Sequence, residues 1–312
     1  MKYIGIDIGG TKCAVVLGNK NGEIENKIRF DTTNFEDTLK NIIDAVGKIG
    51  KGDAIGISCG GPLDSKKGII MSPPNLPGWD DVRICEILKG KFSVPVFLQN
   101  DADACALAEW KFGAGKGTEN MIFLTFGTGL GSGLILNGRL YSGTSGMAGE
   151  AGHIALEDDG PVGYGKAGSF EGFCSGGGIA KMGMAKALEM FESGKVPSFC
   201  KSKEDVNQIN ARVIAECANK GFDDAKEIFD KCATMLGKGL SILIDILNPE
   251  KIVIGSIFAR CENLLRDKME EEIKKQALIQ SRKDCSIVPA LLGERIGDIA
   301  AITVAVNGLE QR

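Results

Sequence analysis

The sequence predicts a two-lobed α/β protein, because a strand–turn–strand–hairpin unit occurs twice and strands alternate with helices along the chain. The first unit contains the glycine turn Asp7-Ile8-Gly9-Gly10-Thr11-Lys12, and the second contains Gly127-Thr128-Gly129-Leu130-Gly131. Each turn is followed by an apolar stretch and then by Asn-Gly, at Asn21-Gly22 and at Asn137-Gly138. Asn-Gly between apolar runs favours a tight hairpin in which both central residues take positive φ. We therefore expect one such hairpin-bearing unit in each lobe.

The first predicted lobe covers residues 1–115 and ends in the small-residue segment 113–117, which has the composition of a domain boundary. Asn34 is the expected N-cap of its first helix, whose apolar residues keep a spacing of three to four. Three prolines between residues 71 and 79 predict an irregular loop. In chain order we expect strands over 2–8, 54–58 and 94–98, and helices over 35–49 and 102–112.

The second predicted lobe covers residues 116–295, and a C-terminal helical segment over 296–312 is expected to pack back on the first lobe. A glycine-rich stretch over 143–178 shows little regular pattern. The remaining expected elements are strands over 121–125 and 251–254 and helices over 179–192, 206–219, 223–247 and 296–309. Both glycine turns lead into a strand and not into a helix, which disfavours a dinucleotide-binding Rossmann unit and favours an actin-like arrangement.

Composition excludes several classes of function. The 312 residues are 43% hydrophobic and 25% charged, with a net charge of −4 and no basic block, so no nucleic-acid partner is expected. No apolar run approaches the length that spans a bilayer, and Asp7 interrupts the N-terminal one, so we expect a cytoplasmic protein without a membrane partner. The ten cysteines include no Cys-x-x-Cys pair and are expected to be buried, reduced thiols.

Two glycine turns indicate phosphate binding, because backbone N–H groups of glycine approach anions unobstructed. Asp7 precedes the first turn, where a carboxylate can hold Mg²⁺ directly or through water, while Thr11 and Lys12 offer a hydroxyl and a cation to phosphate. The structural alternative for Asp7 is an ordinary turn aspartate. Phosphate cradles, a cation-binding carboxylate and a base are the parts that phosphoryl transfer to a hydroxyl requires. We therefore expect this reaction class.

Candidate groups for the acceptor follow a strand or lie among glycines. Asn100-Asp101 comes directly after an apolar strand, where a carboxylate can take a proton from an attacking hydroxyl; the alternative is that Asp101 only caps the next helix. His153, the one histidine, lies three residues from Glu150, and this pair suits the hydroxyls of a polyol; a lone histidine is otherwise a plain surface or core residue. Glu171 is either a further ligand or a plain loop carboxylate.

These motifs resemble those of the ROK family of sugar kinases, a family that includes bacterial glucokinases and N-acetylhexosamine kinases. The resemblance covers nearly the whole chain. It is carried by Asp7-Ile8-Gly9-Gly10-Thr11-Lys12, Gly60-Gly61-Pro62, Pro74 to Trp79, Asn100-Asp101-Ala102, Gly127 to Gly131, Glu150-Ala151-Gly152-His153, Asn248-Pro249-Glu250 with Ile252 to Gly255, and Leu292-Gly293. It implies the actin-like ATPase (ribonuclease H-like) fold with a sugar in an interdomain cleft.

The resemblance also implies a role for each matching residue. Asp101 would be the base for the 6-hydroxyl of a hexose, and Asp7 would serve Mg²⁺. The sugar would be held by Asn100, Glu150, His153, Glu171, Gly61 and Asn75. ATP would be held by Gly9, Gly10, Thr11, Lys12, Gly127, Thr128 and Gly129, with Gly255 bordering the adenine. Glucose is favoured, because the loop from Pro74 to Trp79 resembles the glucokinase version; N-acetylmannosamine, N-acetylglucosamine and other hexoses are alternatives. The resemblance also implies a homodimer, the common oligomeric state of the family.

Two departures from the family pattern change the expectations. Family members bind a structural zinc through the histidine and three cysteines, but here Val162, Tyr164 and Ser169 occupy the cysteine positions, so no zinc is expected. The family's glycine run after the last strand is replaced by Gly255-Ser256. The alternative from another class is a sugar-sensing regulator; because the sequence begins at the first predicted strand, no helix-turn-helix module is expected.

Overall fold

The computed structural model describes residues 1–311 of the chain, so the last residue of the predicted segment 296–312 lies outside the described residues. It is an α/β structure with two mixed five-stranded sheets. The chain folds into two compact units. Met1–Phe123, Gly133–Ala148 and the stretch from Leu291 form one, and Leu124–Ser132 with Gly149–Ala290 forms the other. The predicted lobe boundary at residue 115 stays a prediction. Among the described residues, no helix combines the length and apolarity needed to cross a membrane.

The first sheet has the strand order β3-β2-β1-β4-β7. Its strands are β1 (Lys2–Ile8), β2 (Lys12–Asn19), β3 (Ile24–Asp31), β4 (Ala54–Cys59) and β7 (Val96–Asn100). A small ribbon adds β5 (Leu63–Asp64) and β6 (Ile69–Ile70), and the helices nearby in sequence are α1 (Phe35–Ile49), α2 (Ile84–Phe92) and α3 (Asp101–Phe112). β1 pairs with β2 antiparallel but with β4 parallel, and β4 pairs with β7 parallel.

The second sheet has the order β10-β9-β8-β13-β14. Its strands are β8 (Met121–Leu124), β9 (Ser132–Leu136), β10 (Arg139–Leu140), β13 (Lys251–Ile254) and β14 (Ser286–Pro289). A separate ribbon pairs β11 (Val162–Gly163) with β12 (Lys166–Ala167). The helices are α4 (Phe170–Phe173), α5 (Gly176–Glu192), α6 (Ala211–Asn219), α7 (Asp223–Leu247), α8 (Ile257–Gln276), α9 (Ile279–Asp284) and α10 (Ile296–Glu310).

Helix α10 packs directly against the first sheet, where two strand glycines make the close approach. A Cβ on Gly5 would lie 2.8 Å from the backbone nitrogen of Ile302, and one on Gly56 would meet the carbonyl oxygen of Ala301. Any larger side chain would push the helix away from β1 and β4. Buried isoleucines and valines fill the opposite side of the sheet beneath α1. Each fully buried one contributes roughly 1.5–3 kcal/mol relative to exposure.

The two hairpins close differently. At the second, Asn137 and Gly138 have φ of 53° and 69°, as the Asn-Gly signal predicts. At the first, the same prediction is wrong, because only Gly22 takes a positive φ, of 76°. The loop there is longer. Its turn runs from Asn19 to Gly22, and the Asn19 side chain accepts hydrogen bonds from the backbone N–H groups of Asn21 and Glu23. The side-chain turn replaces the two-residue turn.

Candidate functional site

Three parallel strands bring the predicted residues of the first unit to one edge of its sheet. Register pairs Asp7 with Ser58, and Ser58 with Gln99. The strands β1, β4 and β7 therefore end side by side. The chain continues from β1 and β4 into the turns that carry Gly9 and Gly60, and from β7 into helix α3, which begins at Asp101. Polar side chains at the carboxyl ends of parallel strands are the common location of ligand sites in α/β proteins.

Asp101 is the first residue of α3, and Asn100 is the N-cap. The backbone N–H of Ala102 donates to Oδ1 of Asn100 at 2.9 Å and to Oδ1 of Asp101 at 2.8 Å. The Ala102 N–H is therefore shared between the Asn100 cap and one oxygen of Asp101. The other carboxylate oxygen of Asp101, Oδ2, lies 3.9 Å from where a Cβ of Gly60 would be. The side chain reaches solvent, yet surrounding protein displaces enough of its water to raise the pKa of Asp101. A carboxylate with a raised pKa is suited to accept a proton.

Asp7 is half-buried at the same edge. Loss of water raises its pKa to about 6, and repulsion from the charges of Asp101 and Asp298 adds to the rise, while Lys27 and Arg29 oppose it. Its Oδ2 atom lies 2.8 Å from where a Cβ of Gly297 would be, at the start of α10. The carboxylates of Asp7 and Asp101 repel each other, and a cation beside them would relieve this repulsion.

The first glycine turn connects β1 to β2 and is held by a 3.1 Å hydrogen bond from the N–H of Gly9 to the carbonyl of Lys12. Thr11 and Lys12 are exposed on it. Gly10 lies against the irregular loop over 71–79, since its Cβ would be 2.8 Å from Cβ of Asn75. Gly61 lies against Asn100, because a Cβ on Gly61 would be 3.3 Å from Nδ2 of Asn100. The structure therefore brings predicted phosphate and sugar residues together within this unit.

The second glycine turn belongs to the other unit and is held by Glu171. The N–H of Leu130 donates to Oε2 of this carboxylate at 2.9 Å, and a Cβ on Gly129 would lie 2.6 Å from the same oxygen. The turn also accepts a 2.7 Å hydrogen bond at the carbonyl of Gly127 from the N–H of Gly176, the first residue of α5. Glu171, predicted as a sugar ligand, is therefore in direct contact with the predicted phosphate turn.

Glu150 is the N-cap of a short 3₁₀ turn, Ala151–His153, and His153 is the last residue of that turn. The N–H of His153 donates to the carbonyl of Glu150 at 3.1 Å, and both side chains are exposed. Lys166 donates from Nζ to the carbonyl of His153 at 2.8 Å. Gly152, inside the turn, leaves no room for a side chain, because a Cβ there would collide with the carbonyl oxygen of Leu130; it would also lie 3.3 Å from Cβ of Glu171. The turn and Glu171 are therefore neighbours.

The loop that carries the cysteines in the family is organised here by hydrogen bonds and packing. Ser169 is buried, and its hydroxyl accepts from the N–H of Gly172 at 3.1 Å, which caps α4. Tyr164 and Gly165, with φ of 42° and 78°, close the β11–β12 ribbon. Among residues 1–311, no cluster of three or more histidine, cysteine or acidic side chains has the arrangement of a metal site. The absence of zinc stays a prediction.

A cavity of about 690 Å³ lies behind the second glycine turn, within the same unit. The turn borders it, and so do the start of α5, helix α6 and the residues that follow β13. Ser256 and Ile257, and not the predicted Gly255, are among its lining residues. Its wall consists of Gly127, Thr128, Gly176, Gly177, Asn210, Ala211, Arg212, Ala215, Glu216, Asn219, Ser256, Ile257, Arg260 and Cys261.

Sequence reasoning missed two polar groups near these elements. Glu109, fully buried on α3, accepts hydrogen bonds from the N–H groups of Ala114 at 2.7 Å and Leu292 at 2.8 Å, and thereby ties the C-terminal Leu292-Gly293 motif to the helix after Asp101. Arg260 donates to the hydroxyl of Ser256 at 3.0 Å at the edge of the cavity. The only sequence signal for Glu109 was its place among the apolar residues of an alanine-rich helix.

Comparison with known proteins identifies the chain. The two-unit α/β fold with two five-stranded sheets is the predicted class of fold, and the sequence pattern of the ROK family matches residues 3–307, so the chain belongs to the ROK family. It is 30% identical to the glucokinase of Thermotoga maritima over 97% of each chain. The ROK hexokinase of Thermus thermophilus superposes with a TM-score of 0.84 at 27% identity, covering 100% of both chains.

A second solved structure contains ligands. The ROK family glucokinase of Streptomyces griseus in complex with glucose and AMPPNP has a TM-score of 0.78 and 28% identity, with 99% of this chain and 100% of that chain covered. The relatives also include the xylose repressor of Caldicellulosiruptor bescii, 27% identical over 98% of this chain and 78% of the repressor. The predicted family and the predicted actin-like two-lobed fold are both confirmed.

Proposed function

We propose that this protein transfers the γ-phosphoryl group of ATP to the 6-hydroxyl of a hexose. The observation that carries the proposal is the meeting of Asp7, Gly60 and Asp101 at one sheet edge, beside the first glycine turn. A base, a cation-binding carboxylate and a phosphate cradle are then present in one unit, which is what positioning and charge stabilisation in phosphoryl transfer need. Membership of the ROK family supports the same assignment.

Asp101 is the proposed catalytic base. Its N-terminal place on α3 is fixed by the Asn100 cap, which leaves Oδ2 of Asp101 directed towards Gly60 and available to an incoming hydroxyl. As the 6-hydroxyl oxygen attacks phosphorus, its proton passes to this carboxylate. The raised pKa of Asp101 brings it closer to the working pH, where a base is more effective. The proposed sugar ligands are Gly61, Asn75, Asn100, Glu150, His153 and Glu171.

The proposed nucleotide residues belong to the two glycine turns and the cavity beside the second. The turn residues are Gly9, Gly10, Thr11, Lys12, Gly127, Thr128 and Gly129, and the nucleoside occupies the cavity near Gly255 and Ser256. The mutual repulsion between Asp7 and Asp101 fits a divalent cation at Asp7. Mg²⁺ there would neutralise phosphate charge during transfer.

Glucose is the proposed acceptor, supported by the 30% identity to a glucokinase and by a glucose-bound relative of 28% identity. N-acetylmannosamine, N-acetylglucosamine and other hexoses with a primary hydroxyl are the alternatives, since pocket changes worth about 1–3 kcal/mol separate such isomers. The second candidate function, a non-catalytic sugar sensor, is favoured only by the 27% identity to a xylose repressor. Retention of Asp101 and of both phosphate turns favours the kinase.

A coupled assay of ADP release tests the proposal. The purified protein with ATP and Mg²⁺ is offered glucose, mannose, allose, N-acetylglucosamine, N-acetylmannosamine and a phosphorylated glycoside. We expect sugar-dependent ADP release that is greatest with glucose. Sugar binding without ADP release for every acceptor would establish the sensor, and turnover with another hexose would correct the acceptor alone.

A further inference from the structure

Ser256 occupies a backbone conformation that normally requires glycine. Its φ and ψ are 50° and −105°, and the N–H of Phe258 donates to the carbonyl of Gly255 at 3.2 Å. These are the features of a type II′ turn from Gly255 to Phe258 with Ser256 at its first central position, where a side chain is strained and glycine predominates. Strained residues of this kind concentrate at ligand sites.

The hydroxyl of Ser256 fixes an arginine at the edge of the cavity. Arg260 donates from a terminal guanidinium nitrogen to Oγ of Ser256 at 3.0 Å, and both residues line the cavity. That Oγ lies 3.8 Å from where a Cβ of Gly127 would be, so the pair is next to the second glycine turn. Helix α8 departs from helical geometry at Cys261, with φ of −125°, directly after Arg260. The first turn of α8 is therefore a separate segment that presents this arginine.

We propose that Arg260, oriented by Ser256, binds the phosphate group adjacent to the ribose of the bound nucleotide. The inference rests on the proposed function, which puts phosphates at the glycine turn beside this pair. A guanidinium matches phosphate oxygens in geometry and keeps its charge at every relevant pH. Ser256 limits the directions that the guanidinium takes, and that restriction explains why a strained serine is kept where glycine would fit without strain.

Binding of adenosine, AMP and ADP, measured by calorimetry without turnover, tests the role of Arg260. Arg260→Ala should weaken AMP and ADP binding about tenfold, the loss of one charge-assisted hydrogen bond, and leave adenosine binding within about twofold. Lys268→Ala removes a positive charge from the same helix away from the cavity and is the matched control. Equal weakening of adenosine and AMP would overturn the phosphate assignment, and so would unchanged binding of all three.

Two substitutions of Ser256 separate strain from recognition. Ser256→Ala keeps the strained Cβ and removes the hydroxyl, whereas Ser256→Gly removes both. We expect both to weaken AMP and ADP binding by several-fold and only Ser256→Gly to raise Tm, by about 2 °C or more. Full AMP affinity in Ser256→Gly would overturn the inference. If wild-type protein phosphorylates a hexose while the Arg260 and Ser256 variants bind nucleotides normally, this inference fails and the proposed function stands; if wild-type protein binds no ADP, both fail.

Discussion

The backbone N–H of Leu130 donates a 2.9 Å hydrogen bond to Oε2 of Glu171. This bond joins the second glycine turn to the loop that carries the proposed sugar ligands, over a separation of 41 residues. A carboxylate that holds a phosphate turn with one oxygen and offers the other to a sugar couples the two substrates. Glu171 therefore has a structural role at the turn, and the proposed function gives it a sugar-binding role as well.

Glu171→Ala should raise KM for both ATP and the sugar, each by about tenfold, because it leaves the Leu130 N–H without its acceptor and removes a proposed sugar ligand. Glu171→Gln keeps an oxygen for that N–H, so we expect a nearly normal KM for ATP and a raised KM for the sugar. Steady-state kinetics with each substrate varied in turn measures both. A change in the sugar KM alone in Glu171→Ala would show that the Leu130 contact does not shape the nucleotide site.

Asp101→Asn should lower kcat by about 10²–10⁴-fold, since the amide keeps the shape of the side chain but accepts no proton at the working pH. The Asn100 cap of α3 is unchanged and the substitution removes a desolvated charge, so the variant should unfold at the wild-type Tm or above it and keep the circular dichroism spectrum. Near-normal turnover would remove Asp101 from its proposed role. Asp103→Asn is not a suitable control, because that buried carboxylate accepts hydrogen bonds from Gln99 and Ser142.

The positions of the site residues in the first unit followed from the sequence because parallel strands end at one edge. Asp7, Gly61 and Asn100-Asp101 each lie within two residues of the end of a strand, and strand pairing then places them at the same edge without further information. The strand over 94–98 was predicted two residues early, since its pairing with β4 extends it to Asn100. Contacts such as Glu109 with Leu292, 183 residues apart, have no local signal and could not be predicted.

The sequence did not predict helices α2, α4, α8 and α9. Three of them, α2, α8 and α9, have no side-chain cap at their start, and charged residues obscure the apolar spacing of α8. The missing cap is not the whole reason, since α4 is capped by Ser169 and the predicted helices α7 and α10 have no side-chain cap. The helix predicted over 206–219 is wrong at its start, because Asn210 caps α6 by accepting from the N–H of Val213, and a 3₁₀ turn, Lys203–Gln208, precedes it. The hydrogen bond of the Asn210 cap determines where α6 begins, and the spacing of apolar residues contains no information about that bond.

Asp7→Asn should stabilise the protein at neutral pH and lose this gain in acid. The pKa of Asp7 is about 6 in the folded chain against an ordinary 3.8, so the folded state binds the extra proton between these values. The extra proton on folded Asp7 stabilises the folded state fully below about pH 4, and this stabilisation is lost as the pH rises through 6. At pH 8 the free energy of unfolding is therefore lower than at pH 4 by on the order of 2–3 kcal/mol. Urea unfolding at pH 4, 6 and 8 measures this dependence. Equal stability differences at all three pH values would contradict it.

Ser169→Ala should destabilise the loop that carries the family's zinc cysteines, by about 1–2 kcal/mol, because the buried hydroxyl caps α4. Ser193→Ala, at an exposed helix end, is the matched control and should stay within about 0.5 kcal/mol of the wild-type free energy of unfolding.

We also expect the purified protein to contain no stoichiometric zinc and to keep its Tm in a zinc chelator. One zinc per chain by elemental analysis would show that the loop is organised by metal.

Gly10→Ala should raise KM for ATP and for the sugar together, because Gly10 and Asn75 belong to the two proposed sites and are in contact. The added Cβ would lie 2.8 Å from Cβ of Asn75 and 2.9 Å from its carbonyl oxygen, so the loop over 71–79 must move. The matched control is Gly47→Ala, inside α1, where a Cβ meets nothing within 4 Å and the change should stabilise the helix by up to about 1 kcal/mol. Steady-state kinetics and thermal unfolding measure both variants. If Gly10→Ala shifts neither KM, or only the nucleotide KM, the close approach of the turn to Asn75 does not position the sugar loop.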